Sequence, residues 1–199
     1  MNTVILVSDI FGVTAALEAL AMELNNATII DPYDGKKMNF SSETIAYEYF
    51  NQHIGLSQYT KHLSESLQKL TELSYTSASS KLTQKLDLYL IDFSVGASAV
   101  WLLPEEKISN RLCDLRFKGI CFYGSQIRNT KEIEPVFEIE LIFPDYERHF
   151  DVNELVNSLN KIENTNAIKA KYLHGFMNEC STNFHLTGYE EYIAYLKSK

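Results

Sequence analysis

The sequence has few cysteines, and none of them is placed as a ligand or disulfide partner would be. Cys113, Cys121 and Cys180 are an odd number, lie far apart and form neither a CxxC pair nor the spacing of a zinc site. This pattern favours free thiols, which persist in the reducing cytoplasm. We therefore expect a cytoplasmic protein with no metal and no other cofactor.

Long hydrophobic runs are also missing. No apolar segment approaches the roughly 18 to 20 residues that a membrane-spanning helix needs. Residues 1–12 are apolar early, but they have neither a basic n-region nor a cleavage site of small residues. We interpret this segment as a buried strand and not as a signal peptide.

Basic residues are outnumbered by acidic ones. The chain has 18 Lys and Arg against 26 Asp and Glu, which gives a net charge of -8 and a pI of about 5.1. Such a surface repels phosphate backbones and anionic lipids, so we expect neither nucleic acid nor a membrane as a partner. With 199 residues, 45% of them hydrophobic, and no internal repeat, the chain is expected to form a single domain over residues 1–199.

Strand-like and helix-like segments alternate along the chain. Apolar runs with the length and composition of strands cover residues 3–7, 27–30, 86–93, 117–123, 137–143 and 168–173. Helical patterns cover residues 13–24, 56–73, 152–162 and 189–196. This alternation predicts an α/β protein, a three-layer α/β/α sandwich around a mostly parallel sheet. Residues 36–54 show no single period, and we interpret them as a loop and a short helix that could form a small cap.

Three residues suited to acyl-transfer chemistry follow predicted strands. Ser94 comes directly after the strand at 86–93, Glu147 follows the strand at 137–143, and His174 follows the last strand. Because the carboxyl ends of parallel strands meet at one edge of a sheet, we expect these side chains to lie together. Asp145 competes with Glu147 for the role of the acid, since it is two residues closer to the strand.

The segment around Ser94 looks like half of a nucleophile elbow. The G-x-S-x-G turn of hydrolases places a serine between a strand and a helix, with small neighbours that allow the strained turn. In Asp92-Phe93-Ser94-Val95-Gly96 the second glycine is present, while Asp92 replaces the first. Asp92 is therefore expected close to the nucleophile, where it would crowd the turn.

Several short segments together resemble the dienelactone hydrolase family, which has the α/β-hydrolase fold. The segments are Val4-Ile5-Leu6-Val7-Ser8-Asp9-Ile10-Phe11-Gly12, Phe122-Tyr123-Gly124, Phe143-Pro144-Asp145-Tyr146-Glu147-Arg148-His149-Phe150 and His174-Gly175-Phe176. The resemblance runs from residue 3 to about residue 196, and it keeps the order serine, acid, histidine that the fold requires. It also aligns Asp9 with an acid that in the family lies near the nucleophile.

The resemblance implies a role for each residue. Ser94 is expected as the nucleophile, His174 as the base that takes its proton, and Glu147 as the acid that orients the imidazole. The family usually has Asp where Glu147 stands. The backbone N–H groups of Val95 and Ile10 are expected to form the oxyanion hole.

This chain departs from the family in ways that bear on its substrate. Dienelactone hydrolases use a cysteine nucleophile and hold a carboxylate-bearing lactone with arginines, whereas this chain has a serine and no arginine before Arg111. We therefore expect a different small ester, thioester or lactone. Two alternatives stay open: an impaired hydrolase that acts as a binding module, suggested by Asp92, and an acyltransferase or thioesterase on the same fold.

Overall fold

The computed structural model describes residues 3–77, 86–103 and 115–199. The strands are β1 (Thr3–Val7), β2 (Thr28–Ile30), β3 (Leu86–Phe93), β4 (Leu115–Phe122), β5 (Glu138–Phe143) and β6 (Thr165–Lys169). The helices are α1 (Ala15–Glu23), α2 (Glu43–His53), α3 (Gly55–Ser77), α4 (Val95–Trp101), α5 (Val152–Leu159) and α6 (Leu186–Lys197), with a 3₁₀ helix at Ser125–Asn129. None of the helices in these ranges is long and apolar enough to cross a membrane.

The strands form one parallel sheet in the order β2-β1-β3-β4-β5-β6. The chain adds β2 on one side of β1 and β3 on the other, so a topological switch point lies between β1 and β3. In the register, Val7 faces Asp92 and Phe93 faces Phe122, so these three strands end at nearly the same level. In open parallel sheets, ligands bind in the crevice outside this edge, at such a switch point.

Both faces of the sheet are covered, because successive strand residues point to opposite sides. Ile5 and Val7 of β1 belong to a core with residues from α2, α3, α4 and α5. Leu6 points to the other side, into a core with residues from α1 and α6. The predicted three-layer α/β/α sandwich with a parallel central sheet is therefore confirmed.

Residues 36–54 contain helix α2, which begins where the Ser42 side chain accepts a hydrogen bond from the N–H of Ile45. Ala46 and Phe50 of α2 are buried in the core, and the Phe50 ring meets the ring of Tyr59 edge to face, with centroids 6.1 Å apart. The helix thus packs on the body of the domain. The idea that this segment caps a binding pocket stays a prediction.

The last strand differs from the sequence prediction. We expected it at residues 168–173, whereas β6 covers Thr165–Lys169. Because β6 lies at the edge of the sheet, Ala167 is its only buried residue, and its polar first residues do not give the pattern of a buried strand. His174 consequently follows a turn and not the strand itself.

Helix α4 lies against the end of β1 with no room for a side chain at Gly96. A Cβ atom added there would lie 2.7 Å from the carbonyl oxygen of Val7 and closer still to that of Ser8. Both atoms belong to backbone, which can move only if the strand or the helix moves. Gly96 therefore fixes the distance between β1 and α4.

We predict that Gly96→Ala lowers the free energy of unfolding by about 1 to 3 kcal/mol, the usual cost of overpacking a core. Gly119→Ala in β4 is the matched control, because its Cβ would meet side chains and no backbone, with Ile139 at 3.2 Å and Phe137 at 3.4 Å. Urea unfolding of both variants measures the difference. A Gly96 variant no less stable than the Gly119 variant would contradict this packing constraint.

Candidate active site

Ser94 occupies a sharp turn between β3 and α4. Its backbone has φ 52° and ψ -109°, in the left-handed region that disfavours residues with a side chain. The turn is held by the Ser94 N–H, which donates to Phe122 O at 2.9 Å, and by the Ser98 N–H, which donates to Ser94 O at 3.1 Å. This is the strand-turn-helix geometry that presents a serine hydroxyl at the edge of a parallel sheet.

Ser94 meets His174, although 80 residues separate them in the chain. The Ser94 Oγ lies 3.2 Å from the imidazole Nε2, and the other ring nitrogen, Nδ1, lies 2.8 Å from Glu147 Oε1. A carboxylate can only accept, so the neutral imidazole in this arrangement carries its proton on Nδ1 and leaves Nε2 free to accept. The structure thus brings together the three residues that the sequence singled out.

Glu147, and not Asp145, reaches the histidine. Asp145 lies on the surface and pairs with Lys169 at 2.9 Å. Burial acts to raise the pKa of the Glu147 carboxyl, but hydrogen bonds from His174 and Ser125 and the charge of Arg128 outweigh it, and the pKa is lowered. Glu147 is therefore ionised at neutral pH, as a partner of a histidine should be.

Ser125 is a further member of this group that was not predicted from the sequence. It is the first residue of the 3₁₀ helix after β4, and its hydroxyl donates to Glu147 Oε1. The same oxygen lies 3.2 Å from His174 Nδ1. Its only sequence signal is its place just after the strand end Tyr123-Gly124, on the edge where the other three residues lie. Ser125 contacts both Glu147 and His174, so it helps to hold the two side chains in position.

The loop that carries His174 is fixed from two sides. Asn183 Nδ2 donates to the backbone oxygen of His174 at 2.9 Å. The imidazole packs against the ring of Tyr123, with centroids 4.9 Å apart, and Phe176 lies fully buried against Tyr123 and Phe122. The histidine is therefore held by the packing of the α1 and α6 side of the core.

Two backbone N–H groups, those of Val95 and Ile10, were predicted to bind an oxyanion. Val95 is the first residue of α4, where an N–H has no partner within the helix. Ile10 lies in the turn after β1, and its carbonyl oxygen accepts a 2.7 Å hydrogen bond from the Tyr33 hydroxyl. In the described part of the chain, neither amide donates to a backbone or side-chain oxygen. That these two N–H groups form an oxyanion hole stays a prediction.

Asp9 and Asp92 both lie near the site, in different surroundings. Asp9 follows β1 and is partly buried; burial raises its pKa to about 6, against the effects of hydrogen bonds from Phe11 and Asn178. Asp92 is fully buried beneath the turn, and neither of its oxygens has a hydrogen-bond partner in the described residues. Burial raises the pKa of Asp92 well above its usual range, and the Cys121 thiol, which approaches it from β4 without a hydrogen bond of normal geometry, offsets only part of this.

The described residues contain no group of three or more His, Cys, Asp or Glu arranged to hold a metal ion. Cys121 is buried and Cys180 is exposed, and both are free thiols. The remaining cysteine, Cys113, and Arg111 lie outside the described residues.

We compared the chain with family models, with curated proteins and with solved structures. No family model matches the chain. The chain is 28% identical over 188 residues to the uncharacterized protein YczH of Bacillus subtilis, a match that covers 91% of this chain and 83% of that protein.

Solved structures of similar architecture include several esterases. Esterase PE8 matches with a TM-score of 0.54 at 16% identity over 99% of this chain and 92% of that one. Est1E from Butyrivibrio proteoclasticus matches with a TM-score of 0.51 at 11% identity over 100% and 89%. A lipase-esterase related protein from Clostridium acetobutylicum matches with a TM-score of 0.52 at 12% identity over 99% and 93%. This is the α/β-hydrolase fold.

The hydrogen bond from Ser125 to Glu147 predicts a specific pH effect. We expect Ser125→Ala to lower kcat/KM for a small ester about tenfold, the usual scale for one hydrogen bond to a charged group. Because that bond favours the ionised carboxyl, its loss raises the pKa of Glu147, and activity should fall off at a higher pH on the acid side than in the wild type. The measurement is a pH profile of both proteins. Ser158→Ala on α5 is the control, and an unmoved acid limb would contradict the role of Ser125.

Burial of Asp92 predicts a pH-dependent stability. The folded-state pKa of Asp92 lies above the unfolded value of about 3.9, so the folded protein holds this proton more tightly than the unfolded chain does. The resulting stabilisation is fully present below about pH 3.9 and is lost as the pH rises toward the folded-state pKa. Asp92→Asn has no such titration, so above about pH 4 the wild type should lose up to about 1.4 kcal/mol per pH unit relative to this variant. Urea unfolding between about pH 5 and 8 tests this. A constant difference would show that the Asp92 carboxyl is not held neutral.

Proposed function

We propose that this protein is a serine hydrolase that cleaves a small ester, thioester or lactone through an acyl-enzyme on Ser94. The observation that carries the proposal is the 3.2 Å contact between the Ser94 Oγ and the His174 Nε2, on a turn whose backbone is strained. A serine hydroxyl is a poor nucleophile until a base takes its proton, and the free Nε2 is placed to do so. Neighbours named as esterases, such as PE8 and Est1E, agree with this chemistry.

The first half of the reaction forms the acyl-enzyme. Ser94 Oγ attacks the carbonyl carbon while its proton passes to His174 Nε2, and Glu147 stabilises the resulting imidazolium through Nδ1. The carbonyl oxygen becomes an oxyanion, which accepts hydrogen bonds from the N–H groups of Val95 and Ile10. One such donor typically lowers the barrier by about 2.7 to 4 kcal/mol.

The second half returns the enzyme to its starting state. The tetrahedral intermediate collapses, and His174 gives its proton to the departing alcohol, thiol or lactone oxygen. Water then attacks the acyl-enzyme as Ser94 did the substrate, with His174 as the base. The acid leaves and the Ser94 hydroxyl is restored.

The resemblance to dienelactone hydrolases supports an acyl-transfer site related to theirs, but one that acts on a different substrate. A carboxylate-bearing lactone fits poorly, because Met177 and Asn178 follow the His174-Gly175-Phe176 segment with no basic residue, and Asp9 adds a carboxyl beside the site. The substrate we propose is therefore a small ester or lactone without a carboxylate near the reacting carbonyl.

Asp92 is the feature that suggested an impaired binding module. An anion beneath the nucleophile would oppose the formation of an oxyanion, but burial raises the pKa of Asp92 well above its usual range, so that its neutral form is favoured. Its side chain lies on the face of the sheet that packs against α3 and α4, and Ser94 still reaches His174. These observations favour an active hydrolase. An acyltransferase would differ in product, because an alcohol and not water would accept the acyl group.

A fluorophosphonate probe and p-nitrophenyl esters test the proposal. We expect the probe to label wild-type protein at Ser94, and Ser94→Ala to lose both the label and at least about a thousandfold in kcat. Ser98→Ala, which removes a serine one helical turn away, should keep the label. Folded wild-type protein that neither reacts with the probe nor hydrolyses these esters would refute the hydrolase. Adding alcohols to the assay separates transfer from hydrolysis by the ester product.

A further inference from the structure

A small cavity lies next to the Ser94–His174 pair, on the side of the sheet covered by α1 and α6. Its volume is about 30 Å³, and most of its lining is apolar, including Leu17, Phe93 and Met177. Phe93 immediately precedes Ser94, and the Tyr123 ring that lines the cavity also packs on the imidazole of His174. The cavity therefore begins one side chain away from the reacting groups.

The Tyr123 hydroxyl is a donor without an acceptor. Tyr123 is 1% exposed, and its hydroxyl has no hydrogen-bond partner that meets normal geometry in the described residues; the N–H of Met177 only approaches its oxygen. Burial raises the pKa of this hydroxyl well above its usual value, so it keeps its proton. A buried donor left unpaired typically costs about 1 to 3 kcal/mol, which an oxygen atom entering the cavity would recover.

Asp9 supplies the complementary acceptor in the same cavity. Its Oδ1 accepts from the Phe11 N–H at 2.9 Å, and its Oδ2 accepts from Asn178 Nδ2. A carboxylate has about four lone-pair sites, so Asp9 can accept from a further donor. The described residues that line the cavity include no lysine or arginine, so an anionic group would be repelled by Asp9 with nothing to balance it.

Size and hydrogen-bonding capacity together select the group that fits. A volume of about 30 Å³ holds only about two water-sized groups, since one water needs roughly 10 to 15 Å³. An ammonium group cannot accept from Tyr123, and a carboxylate is repelled by Asp9. A hydroxyl group can do both, because it accepts from the Tyr123 O–H and donates to Asp9.

We propose that this cavity is a subsite for a hydroxyl group of the substrate, with Tyr123 as its donor and Asp9 as its acceptor. The proposal rests on the hydrolase function proposed above and narrows it to hydroxylated esters. The hydroxyl can belong to the acyl part or to the alcohol part of the ester, and the test distinguishes the two.

The test compares esters in which a methyl group replaces a hydroxyl. For the acyl part, the pairs are methyl lactate against methyl isobutyrate and methyl β-hydroxybutyrate against methyl isovalerate. For the alcohol part, ethylene glycol monobutyrate is compared with propyl butyrate. Proton release gives kcat/KM for each, and we expect at least about a tenfold preference for the hydroxylated member in one of the two arms.

Variants assign that preference to the cavity. Tyr123→Phe removes the donor to the hydroxyl and should bring the ratio close to one. Asp9→Asn replaces one of the two acceptor oxygens by an NH2 group and removes the charge, so it should lower the ratio. Tyr89→Phe, in the middle of β3 and five residues before Ser94, is the matched control and should keep the wild-type ratio. Even if a variant does not fold, the ratio of kcat/KM for the paired esters on the wild type still tests whether the protein prefers a hydroxylated substrate.

Two results would overturn the subsite. A ratio near one in both arms, with Ser94 still labelled by the fluorophosphonate, would mean that the cavity holds only water. A preference that survives Tyr123→Phe would place the hydroxyl elsewhere. In both cases the hydrolase itself would stand, whereas loss of labelling and of all ester turnover would remove the hydrolase and the subsite together.

Discussion

The close approach of α4 to β1 is the constraint on which the candidate site depends. Gly96 lets the helix touch the carbonyl groups at the end of β1, while the Ser94 N–H is tied to β4 through Phe122 O. The turn is thus fixed by both neighbours of β3. In the hydrolase that we propose, a shift of about 1 Å at this turn would cost about two orders of magnitude in rate, because Ser94 would no longer meet His174 in the geometry of attack.

How far the sequence predicts the fold depends on where each strand lies in the sheet. The bounds of β1 and β3 match the prediction because both strands are central and buried on both faces, which leaves uninterrupted apolar runs. The predicted bounds of the last strand lay a few residues too late in the chain. As an edge strand whose one buried residue is Ala167, β6 has no such apolar run. The bounds of a strand could therefore be predicted where the strand is buried on both faces, as in β1 and β3, and not where strand propensity was the main signal, as in β6.

The candidate site was predictable as far as it consists of strand ends. Ser94 directly follows β3, while Glu147 and His174 lie in the segments after β5 and β6, and the parallel topology brings all three segments to one edge. Ser125 was missed because it belongs to a 3₁₀ turn, and a lone serine in a turn has many uses. The orientation of Asp92 could not be predicted either, since it follows from the register of β3 between β1 and β4.

The left-handed backbone of Ser94 bears on how such a chain would change over generations. At φ 52° a side chain costs about 1 to 3 kcal/mol that glycine would avoid. A lineage with no use for the hydroxyl would gain folding stability from a single replacement at this position. At this one position, a side chain that can react and a backbone at its most stable are therefore mutually exclusive.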